Sequence, residues 1–114
     1  MDDVKQPVMM TQKYKIDYII NASCDYFGLA RDVMINKTGT KDNIHRLKRY
    51  IALVLTEETE ATQSDIAILL GFYSGTNTTK SIKKIREELS DEFFGVNKTK
   101  KVYNDLLTYL NLKQ

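Results

Sequence analysis

Apolar residues along this chain recur at intervals of three and four, the period of a helix with one buried face, and no convincing alternation of the strand type occurs anywhere. From Lys15 the series Ile16, Ile19, Ile20, Ser23 and Phe27 predicts an amphipathic helix that stops at Gly28. A short helix over 29–35 follows, with Val33 and Met34 expected inward. The polar stretch 36–43, with Gly39 in it, reads as a loop. Asp42 or Asn43 can then cap a third helix running to about Thr56, in which Ile44, Leu47, Ile51 and Val54 or Leu55 keep helical spacing. That helix is expected to be the centre of the core. Residues 57–61 form an acidic connector.

Two further helices are predicted within 62–89, joined by a glycine-bounded turn. Thr62 and Asp65 stand at capping-box spacing, with Asp in place of the usual Glu or Gln, ahead of the apolar run Ile66, Ala67, Leu69 and Leu70. Gly71 offers a left-handed position at which a short helix ends at little cost. The chain restarts near Thr76, and Thr78, Ile82, Ile85 and Leu89 then share one face at i, i+4, i+7 and i+11. After an irregular link with Phe93, Phe94 and Gly95, a last helix is predicted from Lys98 to Leu110, burying Val102, Leu106 and Tyr109 or Leu110. All five glycines fall at predicted boundaries. The expectation is an all-α bundle of five or six helices, with residues 1–14 as a flexible arm and 15–114 as one domain.

The outer face of the 76–89 helix carries Thr76, Asn77, Lys80, Lys83 and Lys84. A short helix, a turn and a longer helix with a polar, basic outer face is the layout of a DNA-reading helix-turn-helix, whose second helix enters the major groove by its N-terminal residues. On that reading Thr76, Asn77, Thr78 and Lys80 are candidates for base edges. Asn can bond adenine bidentately and Thr can meet a thymine methyl. The same pattern also describes an ordinary pair of packed helices whose lysines face water.

A length of 114 residues, 42% of them hydrophobic, suits one domain able to bury a core. The net charge of +2 implies no polyanionic partner, but its distribution is lopsided. Lys37, Lys41, Arg46, Lys48 and Arg49 lie together against a single acid, Asp42, and Lys80, Lys83, Lys84 and Arg86 follow with none between them. Acids gather instead at Glu57, Glu58 and Glu60 and at Glu87, Glu88, Asp91 and Glu92. A basic face beside an acidic one lets a nearly neutral domain bind a polyanion. Arg46, Lys48 and Arg49, expected outward on the third helix with His45, oppose the macrodipole there; a polyanion outside is one reason, and simple tolerance of exposed charge is the other.

The lone cysteine, Cys24, cannot form an internal disulfide and reads as a core residue in a reducing cytosol. No apolar run reaches the roughly 18–20 residues of a membrane span, and the N-terminus lacks the pattern of a signal peptide. A phosphate-binding loop of the GxxxxGK[ST] kind is absent, and the single histidine, His45, sits among cations as an expected exposed side chain. We therefore expect no enzyme, no cofactor, no metal site and no small-molecule substrate. A cytoplasmic location, on the nucleoid when bound to DNA, is the matching expectation.

Over residues 16–110 the chain resembles the C-terminal DNA-binding domain of DnaA, the bacterial chromosomal replication initiator. YFGLARDVMINK is similar to the family's Y-x-I-x-x-x-D-L step through Tyr26, Phe27, Leu29, Asp32 and Val33. Arg46, Lys48 and Arg49 stand where the family has A-R-P-R-Q, and Leu55 and Thr56 match the L-T that closes that helix. GFYSGTNTTKSIKKI resembles G-G-R-D-H-[ST]-T-V-x-x-A-x-x-K-I, with Thr78 and Thr79 as the Thr pair and Lys84 and Ile85 as the closing Lys-Ile. Three departures stand out. Gly75, Thr76 and Asn77 replace Arg-Asp-His, the basic loop at 37–41 holds no Arg, and Leu47 replaces the Pro.

The resemblance implies duplex binding, with the second helix of the motif in the major groove and the loop in the minor groove. Lys37, Lys41, Arg46, Lys48, Arg49, Thr79, Lys83 and Lys84 are then the expected phosphate or minor-groove contacts. A stand-alone, sequence-selective binder of double-stranded DNA, without a nucleotide-hydrolysing module, is expected. The alternative is a helical adaptor for a protein partner, or for self-association, using the acidic strips and Tyr73, Phe93 and Phe94.

Overall fold

In the computed structural model, residues 8–36, 43–90 and 97–112 are described, with no side-chain detail for 8–11 and 43. Six helices follow in order: α1 (Val8–Phe27), α2 (Arg31–Asn36), α3 (Asn43–Glu58), α4 (Gln63–Leu70), α5 (Gly75–Leu89) and α6 (Lys98–Tyr109). No strand occurs among the described residues, and the fold is an all-α bundle. No helix among them is long and apolar enough to cross a membrane.

The bundle is built around α3. Six consecutive residues, Tyr50 to Leu55, are buried on every side, because α1, α4 and α5 all pack on this helix. Ile19 and Ile20 of α1, Ile66 and Leu70 of α4, Ile82 and Ile85 of α5 and Leu106 of α6 complete a continuous core. Cys24 is buried within it as expected. Burial raises its thiol pKa above the ordinary value, so the thiolate is disfavoured.

One boundary and one inward residue differ from the sequence reading. The first helix starts at Val8, so residues 8–14 extend α1 where the apolar spacing left a flexible arm; residues 1–7 lie outside the described residues. Met, Gln and Lys are strong helix formers, and lengthening an existing helix gains one hydrogen bond for each residue fixed. In α2 only Met34 is buried while Val33 is exposed, since a helix of under two turns presents one side to its neighbours. In α6 the alternative left open between Tyr109 and Leu110 falls to Leu110, the C-cap, which is buried, while Tyr109 is exposed against the Tyr26 ring.

The ends of the helices are tied together by polar groups. Asn97 caps α6 by accepting from Lys100 N–H and donates its amide to the carbonyls of Glu88 and Leu89, which locks the start of α6 onto the end of α5. Tyr18 donates to the Leu110 carbonyl at the other end of α6. Together these tie the two ends of α6 to α5 and to α1.

Candidate nucleic-acid interface

The helix pair foreseen in 62–89 is present, and its local chemistry explains each turn of the chain. Thr62 Oγ1 accepts from Asp65 N–H at 3.1 Å, and Asp65 Oδ2 accepts from Thr62 N–H at 3.1 Å, so the capping box closes with Asp in the Glu position. At the other end Gly71 has φ 74°, ψ 35° and donates its N–H to Ala67 O. A Cβ there would lie 2.1 Å from the Ile35 carbonyl oxygen at the end of α2. Glycine is thus required both for the left-handed backbone and for the close approach of α2.

Ser74, which the sequence reading passed over, is the N-cap of α5. Its hydroxyl oxygen accepts from Asn77 N–H at 3.2 Å, a bond worth about 1 kcal/mol. The helix begins one residue before the expected Thr76. Ser is among the best N-cap residues, so the signal was in the sequence, hidden by the row of Thr and Asn that follows.

A cleft of about 280 Å³ opens between the first half of α3, the 71–73 turn and α5 as far as Lys84. Arg49, Asn77, Lys80 and Lys84 line it together with Tyr73, a residue 88% exposed. His45, Lys48, Gly71, Phe72 and Ser81 form the remaining wall. No carboxylate lines it among the described residues. The first turn of α5 contains no acid either, so the positive end of its macrodipole adds to the lysine charge.

Among the expected base-reading residues, Thr76 and Lys80 are exposed and Asn77 is half-buried with its side chain in the cleft wall. Thr78 is corrected: it is 0% exposed, and its hydroxyl donates to the Ser74 carbonyl at 3.1 Å. It belongs to the inner stripe with Ile82 and Ile85, as the helical spacing itself indicates, and cannot reach a base edge.

Among the expected phosphate contacts, Lys84 lies in the cleft. Thr79 and Lys83 are exposed on the opposite flank of α5, beside Arg86 and Glu87. Arg46 is half-exposed and donates to Thr99 Oγ1 at 3.3 Å. Glu88 gathers both arginines of α3, at 3.8 Å from Arg46 Nη2 and 4.0 Å from Arg49 Nη1. The Nε of Arg49 is buried with no hydrogen-bond partner among the described residues. Lys37 and Lys41 lie outside the described residues, as do Phe93 and Phe94.

Lys48 is the second correction. Expected outward, it is 1% exposed; its ammonium donates to the Gly71 carbonyl at 3.1 Å and lies 5.6 Å from the centroid of the Phe72 ring. Desolvation lowers its pKa below the ordinary lysine value. The burial has a sequence cause that the spacing analysis missed. Ile44, Lys48, Ile51 and Leu55 stand at i, i+4, i+7 and i+11, so Lys48 occupies a place in the apolar stripe of α3. His45 is likewise not fully exposed, for its ring packs edge-on to Phe72 with centroids 6.0 Å apart.

In comparisons with known proteins, no family model matches this chain, and neither a curated protein nor a solved structure matches it.

Proposed function

We propose that this chain binds double-stranded DNA, setting the start of α5 against base edges and the cleft between α3 and α5 against the phosphate backbone. The observation that carries the reading is the cleft itself. Lys80, Lys84 and Arg49 converge from two helices on one concavity that no carboxylate lines among the described residues, and duplex DNA offers the dense line of negative charge that such a site attracts. Thr76 and Asn77 stand at the entry to α5, where the second helix of a helix-turn-helix touches bases. Tyr73 beside them supplies an exposed ring and hydroxyl at the rim.

The sequence resemblance to the DnaA C-terminal domain supports the same reading through the order of its parts. The replacement of Arg-Asp-His by Gly75, Thr76 and Asn77 implies that the bases read are not those of the initiator's own box. In physiological terms the reading is of a regulator of replication or transcription that acts at specific duplex sites.

A fluorescence anisotropy titration of random and initiator-box duplexes at two salt concentrations tests this. Binding that weakens steeply with salt, at about −0.9 in log affinity against log salt per phosphate contact, is expected. Folded protein that binds neither duplex at low salt overturns the proposal.

A further inference from the structure

A second concavity lies between α1 and α4 and shares no residue with the basic cleft. It measures about 550 Å³ and has an apolar floor made by Ile16, Ala61, Ile68 and Leu69. Ile68 is 78% exposed, although it sits in the middle of a helix whose neighbouring Ile66, Ala67 and Leu70 are buried. A single exposed isoleucine is unremarkable, but one that borders an apolar groove marks a surface with something to cover it.

The charge around the groove is opposite to that of the cleft. Among the described residues, Asp17, Glu60 and Asp65 rim it against one cation, Lys13. Asp17 meets Arg31 at 3.4 Å, and Asp65 serves the cap of α4. Glu60 has no ion pair among the described residues, its backbone N–H being held by Gln12 Oε1. A carboxylate has about four acceptor positions, so even the two engaged acids can take further donors.

We infer that this groove docks an amphipathic helix of a partner protein, one whose apolar stripe is flanked by lysines or arginines. Two helices form its walls, the setting in which a third lays residues at i, i+4 and i+7 into the gap. The rim selects the sign of the flanking charge. A second copy of this chain fits less well. Its basic helices α3 and α5 already bury their apolar faces, Ile51 and Leu55 in one and Ile82 and Ile85 in the other, so neither is available to dock. Because the groove and the cleft are separate, the chain can hold such a partner while its other face is occupied.

The test is a selection from a display library of short helical peptides on the full chain, followed by titration calorimetry against the full chain and two variants. Survivors are expected to carry an apolar stripe flanked by basic residues and to shift the amide resonances of Ile16, Ala61 and Leu69. Ile68→Lys, a change at an exposed position, should weaken them by about tenfold or more. Glu60→Lys should weaken basic-flanked peptides while strengthening acidic-flanked versions of the same stripe, which keeps the test intact even if one variant misfolds. Survivors indifferent to both substitutions, or selected without regard to charge, overturn the inference. So does a dimer of the full chain in sedimentation that Ile68→Lys dissolves, since the occupant is then a second copy.

Discussion

The ammonium of Lys48 donates to the carbonyl of Gly71 at 3.1 Å, joining the second turn of α3 to the residue that ends α4. Gly71 is also where the end of α2 makes its closest approach. One residue thus receives three elements, and the turn that follows it sets the direction of α5. In the DNA-binding reading, Lys48 acts on the duplex through this turn and not by touching a phosphate. Lys48→Met is expected to weaken duplex binding by about 1 kcal/mol, roughly fivefold, through a displaced turn. The slope of log affinity against log salt should not change, whereas a lost phosphate contact would lower it by about 0.9. Anisotropy titrations over a salt series distinguish the two.

The same lysine makes stability depend on pH. Its folded pKa lies below the unfolded value because burial disfavours the charged form. Between those two values the unfolded chain binds more protons than the folded one, so stability rises with pH across that window. Urea unfolding of the wild type and of Lys48→Met, compared from neutral pH towards pH ~10.4, should show the difference moving in favour of the wild type. A difference that stays constant, or moves the other way, means that the ammonium is not desolvated in solution.

Gly71→Ala should be the most costly small substitution in the helix pair. It forces a side chain into φ 74° and places a Cβ 2.1 Å from a backbone oxygen that cannot swing aside. A loss of about 2–4 kcal/mol is expected in denaturant unfolding. Gly28 has φ 68° but nothing within 4 Å of an added Cβ, so Gly28→Ala should lose only the backbone part, about 1 kcal/mol.

Neighbouring residues at the start of α5 are expected to behave in opposite ways. Thr78→Val keeps the shape of a buried side chain and removes its bond to Ser74 O, so stability should fall by about 1 kcal/mol with base discrimination unchanged. Asn77→Ala should leave the fold close to intact and erode discrimination by about 1–3 kcal/mol at one base pair. Competition binding on single-base variants of a selected site measures both.

Charge in the cleft is open to adjustment from either side. Lys84→Ala should weaken all duplexes alike and lower the salt slope by about 0.9. Glu88→Gln removes the negative charge that stands 3.8 Å from Arg46 and 4.0 Å from Arg49, so more of their positive charge is left for a duplex and affinity should rise. The Gln amide oxygen can still accept from the Thr99 hydroxyl, so thermal unfolding should change little and a gain in affinity can be read as a charge effect. An unchanged affinity in Glu88→Gln would place both arginines outside the interface.

Local signals carried much of this protein into its sequence. Helical spacing gave the helices their places, the Thr62–Asp65 box and Gly71 marked the ends of α4, and the stripe Thr78, Ile82, Ile85, Leu89 oriented α5. Those features depend on residues within a few positions of one another, where backbone geometry alone brings side chains together. The same stripe placed Thr78 inward, although its residue type invites a base contact.

What the tertiary structure decided is which charges meet. Lys48 sits in an apolar stripe, and the packing of Phe72 and the carbonyl of Gly71 against α3 help to hold its cation there. Arg46 and Arg49 share Glu88, some forty residues away, because α5 crosses α3 at that point. The basic cleft and the acid-rimmed groove are each assembled from helices distant in sequence. Composition fixed how many charges there are, and the angle between packed helices fixed which of them act together.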